Sequence, residues 1–207
     1  MKLALIGATG FTGRPILDEA LARGHAVTAI ARDLTPLPAH EKLVPLRGDV
    51  ADTALLARLV EGHDVAISAF NPGKDPTGGG PASIIAAVRK AAVPRLLVVG
   101  GAGSLQLPSG DRVVDQPDFP SEWKAGALRT AEFLEQLRAT PDLAWTFLSP
   151  AATLFPGERT SRFRLGADRL LTDAAGSSRI STADLAVAMI NEMERPQHHR
   201  RRFTVAY

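Results

Sequence analysis

Short apolar runs alternate along this chain with longer stretches whose apolar positions recur every three or four residues. The first run, Leu3-Ala4-Leu5-Ile6, breaks at Gly7, and a helical pattern over 11–23 follows until Gly24 stops it. Further strands are expected at 26–31, 42–47, 64–69, 95–99 and 144–148, with helices at 53–60, 81–92 and 121–138, the last capped by Ser121. Runs this short and this apolar suit strands buried on both faces, and the spacing of Ile84, Ile85 and Val88 suits a helix covering them.

This alternation of strand and helix predicts an α/β fold with a Rossmann-like doubly wound parallel sheet. Right-handed crossovers would bring the loops after Ile6, Ala31, Ala69, Val99 and Leu148 to one edge, the expected ligand edge. Residues 149–207 depart from the alternation. There, Phe163-Arg164-Leu165-Gly166 with Leu170-Leu171-Thr172 reads as a small hairpin, Ser181-Thr182-Ala183-Asp184 as a capping box before a helix to 194, and 203–207 as a last strand. A chain of 207 residues is expected to form a single domain, 1–207, with 149–207 as a small substrate-side region. The irregular segments 71–80 and 100–120 fall on the ligand edge, where long loops are usually functional.

Candidate chemistry begins at Gly7-Ala8-Thr9-Gly10-Phe11-Thr12-Gly13. Gly7 lets the chain turn off a buried strand, Gly10 opens the backbone to a pyrophosphate, and Gly13 lets the next helix pack closely. Free N–H groups and the positive dipole end of that helix would then face the phosphates. At the end of the second strand, Arg32 precedes Asp33. An arginine attracts the 2′-phosphate of NADP(H), so NADP(H) is preferred, while the adjacent acid leaves NAD(H) open.

Composition narrows the alternatives. Without cysteine there is no disulfide, thiolate nucleophile or zinc-cysteine site. The histidines, at 25, 40, 63, 198 and 199, avoid the ligand loops, so no metal site is expected. With a net charge of +2 and 5% aromatics, nucleic acid is not an expected partner, and the basic run from His198 to Arg202 reads as a solvated loop. No apolar stretch resembles a signal peptide or a membrane span, so a cytoplasmic protein is expected.

The glycine turn, Ala31-Arg32-Asp33, Gly48-Asp49-Val50, Gly100-Gly101-Ala102-Gly103-Ser104-Leu105, Phe119-Pro120-Ser121-Glu122-Trp123-Lys124, Ser149-Pro150-Ala151 and the segment from Arg179 to Asp184 together resemble the atypical short-chain dehydrogenase/reductases of the NADH-flavin reductase group. Relatives of that group include biliverdin reductase B, which reduces flavins and linear tetrapyrroles, and NmrA-like regulators, which bind the dinucleotide without turning it over. The resemblance implies roles for particular positions. Thr9, Phe11 and Thr12 would join Gly7, Gly10 and Gly13 at the pyrophosphate, with Asp49 and Val50 flanking adenine. Ala69 and Phe70 would line the ribose side, Gly101 would belong to the cofactor loop, and Ser149, Pro150 and Ala151 would border the nicotinamide.

One departure from the wider superfamily bears on mechanism. Its usual tyrosine and lysine stand four residues apart on one helix face, where the ammonium lowers the phenol pKa. Here the one tyrosine is Tyr207, and the corresponding helix start carries Trp123-Lys124, adjacent residues that project about 100° apart. A reductase without that pair is expected, passing hydride from NADPH to a flavin, quinone or similar small acceptor that is already electrophilic. Ser104 is the candidate hydrogen-bond donor to the acceptor and Lys124 a candidate anion contact, with the regions of Asn71, Leu105 and Phe155 forming the pocket. Arginines 159, 162, 164 and 169 would meet an acidic group if they face the cleft. A non-catalytic NADP(H) sensor of NmrA-like type is the alternative, a sugar epimerase is disfavoured by the missing tyrosine, and either a monomer or a homodimer is expected.

Overall fold

The computed structural model describes all 207 residues. Its strands are β1 (Lys2–Ile6), β2 (Ala26–Ala31), β3 (Leu43–Arg47), β4 (Val65–Ser68), β5 (Arg95–Val99), β6 (Ala144–Pro150), β7 (Thr153–Phe155), β8 (Arg164–Gly166), β9 (Arg179–Ser181) and β10 (Arg201–Ala206). The helices are α1 (Gly13–Ala22), α2 (Thr53–Val60), α3 (Gly80–Lys90), α4 (Ser121–Arg138) and α5 (Thr182–Glu194). Eight strands form one sheet in the order β3-β2-β1-β4-β5-β6-β10-β8, and all its neighbours are parallel except β10 and β8. This is the Rossmann-like α/β architecture, and the order reverses between β1 and β4, where such sheets open a crevice for ligands.

Alternation along β1 divides the core. Leu3 and Leu5 enter an apolar layer with Ile16, Leu17 and Ala20 of α1 and Leu185, Ala186 and Met189 of α5. Ala4 and Ile6 point the other way, into a layer with Leu56 of α2, Ile84 and Val88 of α3, and Phe133, Leu134 and Leu137 of α4. Both faces of the central strands are covered, which is why their sequences are apolar at most positions on both faces.

Several expected elements need correction. Ser121 is already helical, and the residue that caps α4 is Pro120, with no side-chain bond. The expected hairpin over 163–172 does not form. β8 instead pairs antiparallel with β10, matching Leu165 with Val205, while Leu170 N–H donates to the Gln106 carbonyl at 2.9 Å. The outer edge of β10 thus finds its partner in a three-residue strand, a pairing that distant chain segments decide. Likewise β7 and β9, three residues each, pair in parallel as a separate two-stranded sheet. Nor is the basic run a solvated loop throughout. Arg201 and Arg202 belong to β10, and the buried Arg202 guanidinium donates from Nε to Asp168 Oδ1 at 2.9 Å. His198 stacks on Phe203 and bonds Glu192 Oε2 through Nδ1 at 2.8 Å.

Candidate functional site

A cleft of about 560 Å³ opens along the carboxyl edge of the sheet, a size that suits a small molecule or cofactor. Its floor is the turn from β1 into α1. Gly7 has φ +80°, and a β-carbon there would stand 3.0 Å from the Ala69 carbonyl oxygen of the neighbouring strand end. At Gly13 the constraint is harder, because a β-carbon would lie 2.0 Å from the Gly7 carbonyl oxygen. Gly10 N–H closes the turn onto Gly7 O at 3.0 Å. By contrast, no backbone hydrogen bond uses the N–H groups of Thr9, Phe11 or Thr12. Thr12, the capping residue of α1, makes no side-chain cap bond, and the first turn carries no acid. Unspent donors, a free hydroxyl and a helix dipole therefore converge where an anion would sit, and these residues fit a dinucleotide pyrophosphate.

Along one wall, Arg32, Asp33, Asp49 and Val50 line the cleft. The carboxylates there are engaged locally: Asp33 Oδ1 accepts from Thr35 N–H at 2.9 Å, and Asp49 Oδ1 from Ala51 N–H at 3.0 Å. Hydrogen bonds from Thr35 hold the Asp33 carboxyl below its usual range. Arg32 enters no ion pair within the protein.

The opposite wall is the segment from Ala69 to Gly80. Phe70 lines the cleft with its ring under the start of α3, so close that a β-carbon at Gly80 would meet it at 2.6 Å. Buried Asp75 organises the loop, accepting at Oδ2 from Gly80 N–H at 2.7 Å and at Oδ1 from the Thr77 N–H and hydroxyl at 2.9 and 2.8 Å. Burial pushes that carboxyl up, but these bonds outweigh it and leave it below its ordinary value. From α4, Arg129 donates to the Asp75 carbonyl, and Gly126 backs onto Gly73, whose β-carbon would be 3.0 Å from the Gly126 Cα. Val99, Gly100, Thr130 and Leu154 close the end nearest β5 and β6.

Of the residues picked out above, Gly7, Thr9, Gly10, Phe11, Thr12, Arg32, Asp33, Asp49, Val50, Ala69, Phe70 and Asn71 line this one cleft. Gly13, Gly101, Ser149, Pro150 and Ala151 do not, and Ser149 is fully buried with its hydroxyl unpaired. Ser104 and Lys124 also stand outside the lining. Ser104 Oγ accepts from the buried Arg202 at 2.9 Å, and Lys124 is exposed beside Asp115. Leu105 is buried, and Phe155 packs edge-on to Tyr207 beneath Arg179, leaving Leu154 to reach the cleft. Arg159 pairs with Glu19 at 2.7 Å and Arg164 donates to the Thr172 carbonyl at 2.8 Å, and none of the arginines at 159, 162, 164 and 169 lines the cleft. Sequence reasoning missed Lys74, Asp75, Thr77 and Thr130. The spacing of Asp75, Thr77 and Gly80 is a readable turn-and-cap signal, whereas nothing local points from Thr130 to the cleft.

The NAD(P)H-binding family model matches residues 7–196. The chain belongs to this NAD(P)H-binding family. YwnB of Bacillus subtilis is 41% identical over 212 residues, 99% of this chain and 98% of that protein. Among solved structures, a candidate epimerase from Bacteroides thetaiotaomicron superposes with a TM-score of 0.95 at 43% identity, over 100% of this chain and 96% of that one. A candidate NADH-flavin reductase from Streptococcus pneumoniae gives a TM-score of 0.88 at 36% identity, covering 100% and 99% of the two chains. As an oxidoreductase-like member of the NAD(P)H-binding family, the chain carries its match across both the glycine turn and the segment after β6. No helix is long and apolar enough to cross a membrane.

Proposed function

We propose that residues 1–207 act as one NAD(P)-binding domain that holds NADPH in the cleft and directs its hydride to a flavin, quinone or similar small acceptor. The carrying observation is the glycine turn, whose unspent Thr9, Phe11 and Thr12 N–H groups and free Thr12 hydroxyl supply the donors a pyrophosphate needs. Preference for NADPH over NADH rests on Arg32, which lines the cleft without an ion-pair partner, beside an Asp33 whose Oδ1 accepts from Thr35 N–H. Asp49 and Val50 then flank adenine, and Ala69 and Phe70 border the ribose. Ser149, Pro150 and Ala151 carry the chain from β6 toward Leu154 at the nicotinamide end.

The bound dinucleotide supplies a hydride, and the acceptor draws the accompanying proton from water, so the protein's part is to bind, orient and shield. No tyrosine serves as acid in this reading. The Tyr207 hydroxyl donates to Asp184 Oδ2 at 2.8 Å and lies outside the cleft lining. A non-catalytic NADP(H) sensor is the second reading, favoured by a lining whose ionisable groups are only Arg32, Asp33, Asp49, Lys74 and Asp75.

The test is NADPH and NADH oxidation with FMN, FAD and a simple quinone, run on wild type and Arg32→Ala. Turnover is expected, with Arg32→Ala raising the KM for NADPH roughly tenfold or more and leaving NADH unchanged, as for a lost charge-assisted hydrogen bond. Tight NADPH binding with no oxidation above background would replace the reductase with the sensor.

A further inference from the structure

Helix α4 is longer than the sheet beside it. Its 18 residues span about 27 Å, whereas the five residues of β5 span about 16 Å, so the amino-terminal turns of α4 overhang the ligand edge. Its buried side chains begin only at Ala131. On the overhang stands Trp123, 65% exposed, with no aromatic or cationic partner for its ring.

The position of that ring on the helix is informative. Residues 123, 126, 127 and 130 share one face of α4. Gly126 backs onto Gly73 in the cleft wall, a β-carbon at Gly103 would lie 2.9 Å from the Ala127 side chain, and Thr130 lines the cleft itself. Trp123 therefore stands on this face one helical turn beyond Gly126 and two turns, about 10 Å, beyond Thr130, outside the cleft lining itself. It is also isolated: Glu122, Lys124 and Ala125 around it are exposed, and Leu128, the other exposed large apolar residue of α4, projects about 140° away. A single ring beside a cleft is dimensioned for a ligand ring, whereas a subunit interface needs a contiguous patch.

Building on the reductase reading above, we propose that Trp123 is the outer stacking platform of the acceptor site and selects planar aromatic acceptors of the isoalloxazine or naphthoquinone class. Their reacting end enters past Thr130 and Leu154 while the distal ring lies on the indole. Aromatic stacking of this kind corresponds to about a tenfold change in affinity.

The experiment titrates protein saturated with NADP⁺ into riboflavin, with equilibrium dialysis giving the affinity and flavin emission reporting ring contact. Wild type, Trp123→Ala and Trp123→Phe are compared, with NADP⁺ affinity and sedimentation measured on each. Trp123→Ala is expected to weaken riboflavin binding about tenfold and to relieve the quenching, Trp123→Phe to retain most of the affinity, and NADP⁺ binding to be unchanged in both. Equal riboflavin affinity in wild type and Trp123→Ala would overturn the proposal. So would loss of a dimer in Trp123→Ala with flavin binding intact, which would assign the ring to a second copy of the chain. If wild type binds NADP⁺ but neither riboflavin nor menadione, the reductase reading and this proposal fall together.

Discussion

At Gly13 a single hydrogen atom in place of a side chain keeps the glycine turn closed, because a β-carbon would overlap the Gly7 carbonyl 2.0 Å away. Gly13→Ala is expected to cost about 1–3 kcal/mol of stability and to abolish measurable NADPH binding, read by urea denaturation and nicotinamide fluorescence. Elsewhere a single buried imidazole makes stability depend on pH. His63 Nε2 lies 2.7 Å from Thr28 Oγ1 and Nδ1 lies 2.9 Å from the Val60 carbonyl, an arrangement that suits the neutral ring with its proton on Nδ1. Burial holds its pKa below the ordinary 6.5. The folded protein therefore resists a proton that the unfolded chain accepts, so this contribution is complete above about pH 6.5 and is lost as the pH falls below it. Urea midpoints should drop between about pH 7.5 and pH 5.5, and His63→Gln should flatten that drop while lowering stability at the higher pH.

Among the elements, β2, β5 and α2 were legible to the residue, since each is bounded by local signals: Gly24 before β2, Gly100 after β5, and Asp52, which accepts from Leu55 N–H, before α2. The short strands were not. Three residues carry no period, and β7, β8 and β9 exist only because a distant partner has unpaired backbone groups to offer. The wall of the cleft has the same origin. Gly126 sits inside α4, where glycine ordinarily costs about 1 kcal/mol relative to alanine, and the contact with Gly73 explains its presence. Gly126→Val should push the Pro72–Lys74 turn outward, weakening NADPH binding by roughly 1 kcal/mol with helix content retained, as measured by fluorescence titration and circular dichroism.

For the whole molecule, dinucleotide binding and folding are linked. The cleft is assembled from the ends of β1, β2 and β4, the 69–80 segment and α4, so a ligand that spans them stabilises only the folded chain. NADPH at about 100 times its Kd should add about 2.7 kcal/mol, raising the Tm by roughly 5–10 °C for a chain of this size. In Arg32→Ala the same rise should require a correspondingly higher NADPH concentration, which a thermal-shift titration would read.

By itself the sequence determined the alternation of strands and helices, the glycine turn with its unspent donors, and the Arg32-Asp33 pair at the end of β2. These features depend on neighbours within a few residues, and such neighbours are contiguous in the chain. Tertiary structure alone decided that Ser104 receives Arg202, that β10 pairs with β8, and that α4 sets Gly126 against Gly73 and Thr130 into the cleft lining. A side chain's partner across the fold is set by packing and by the obligation to pair buried polar groups, neither of which leaves a periodic trace along the chain.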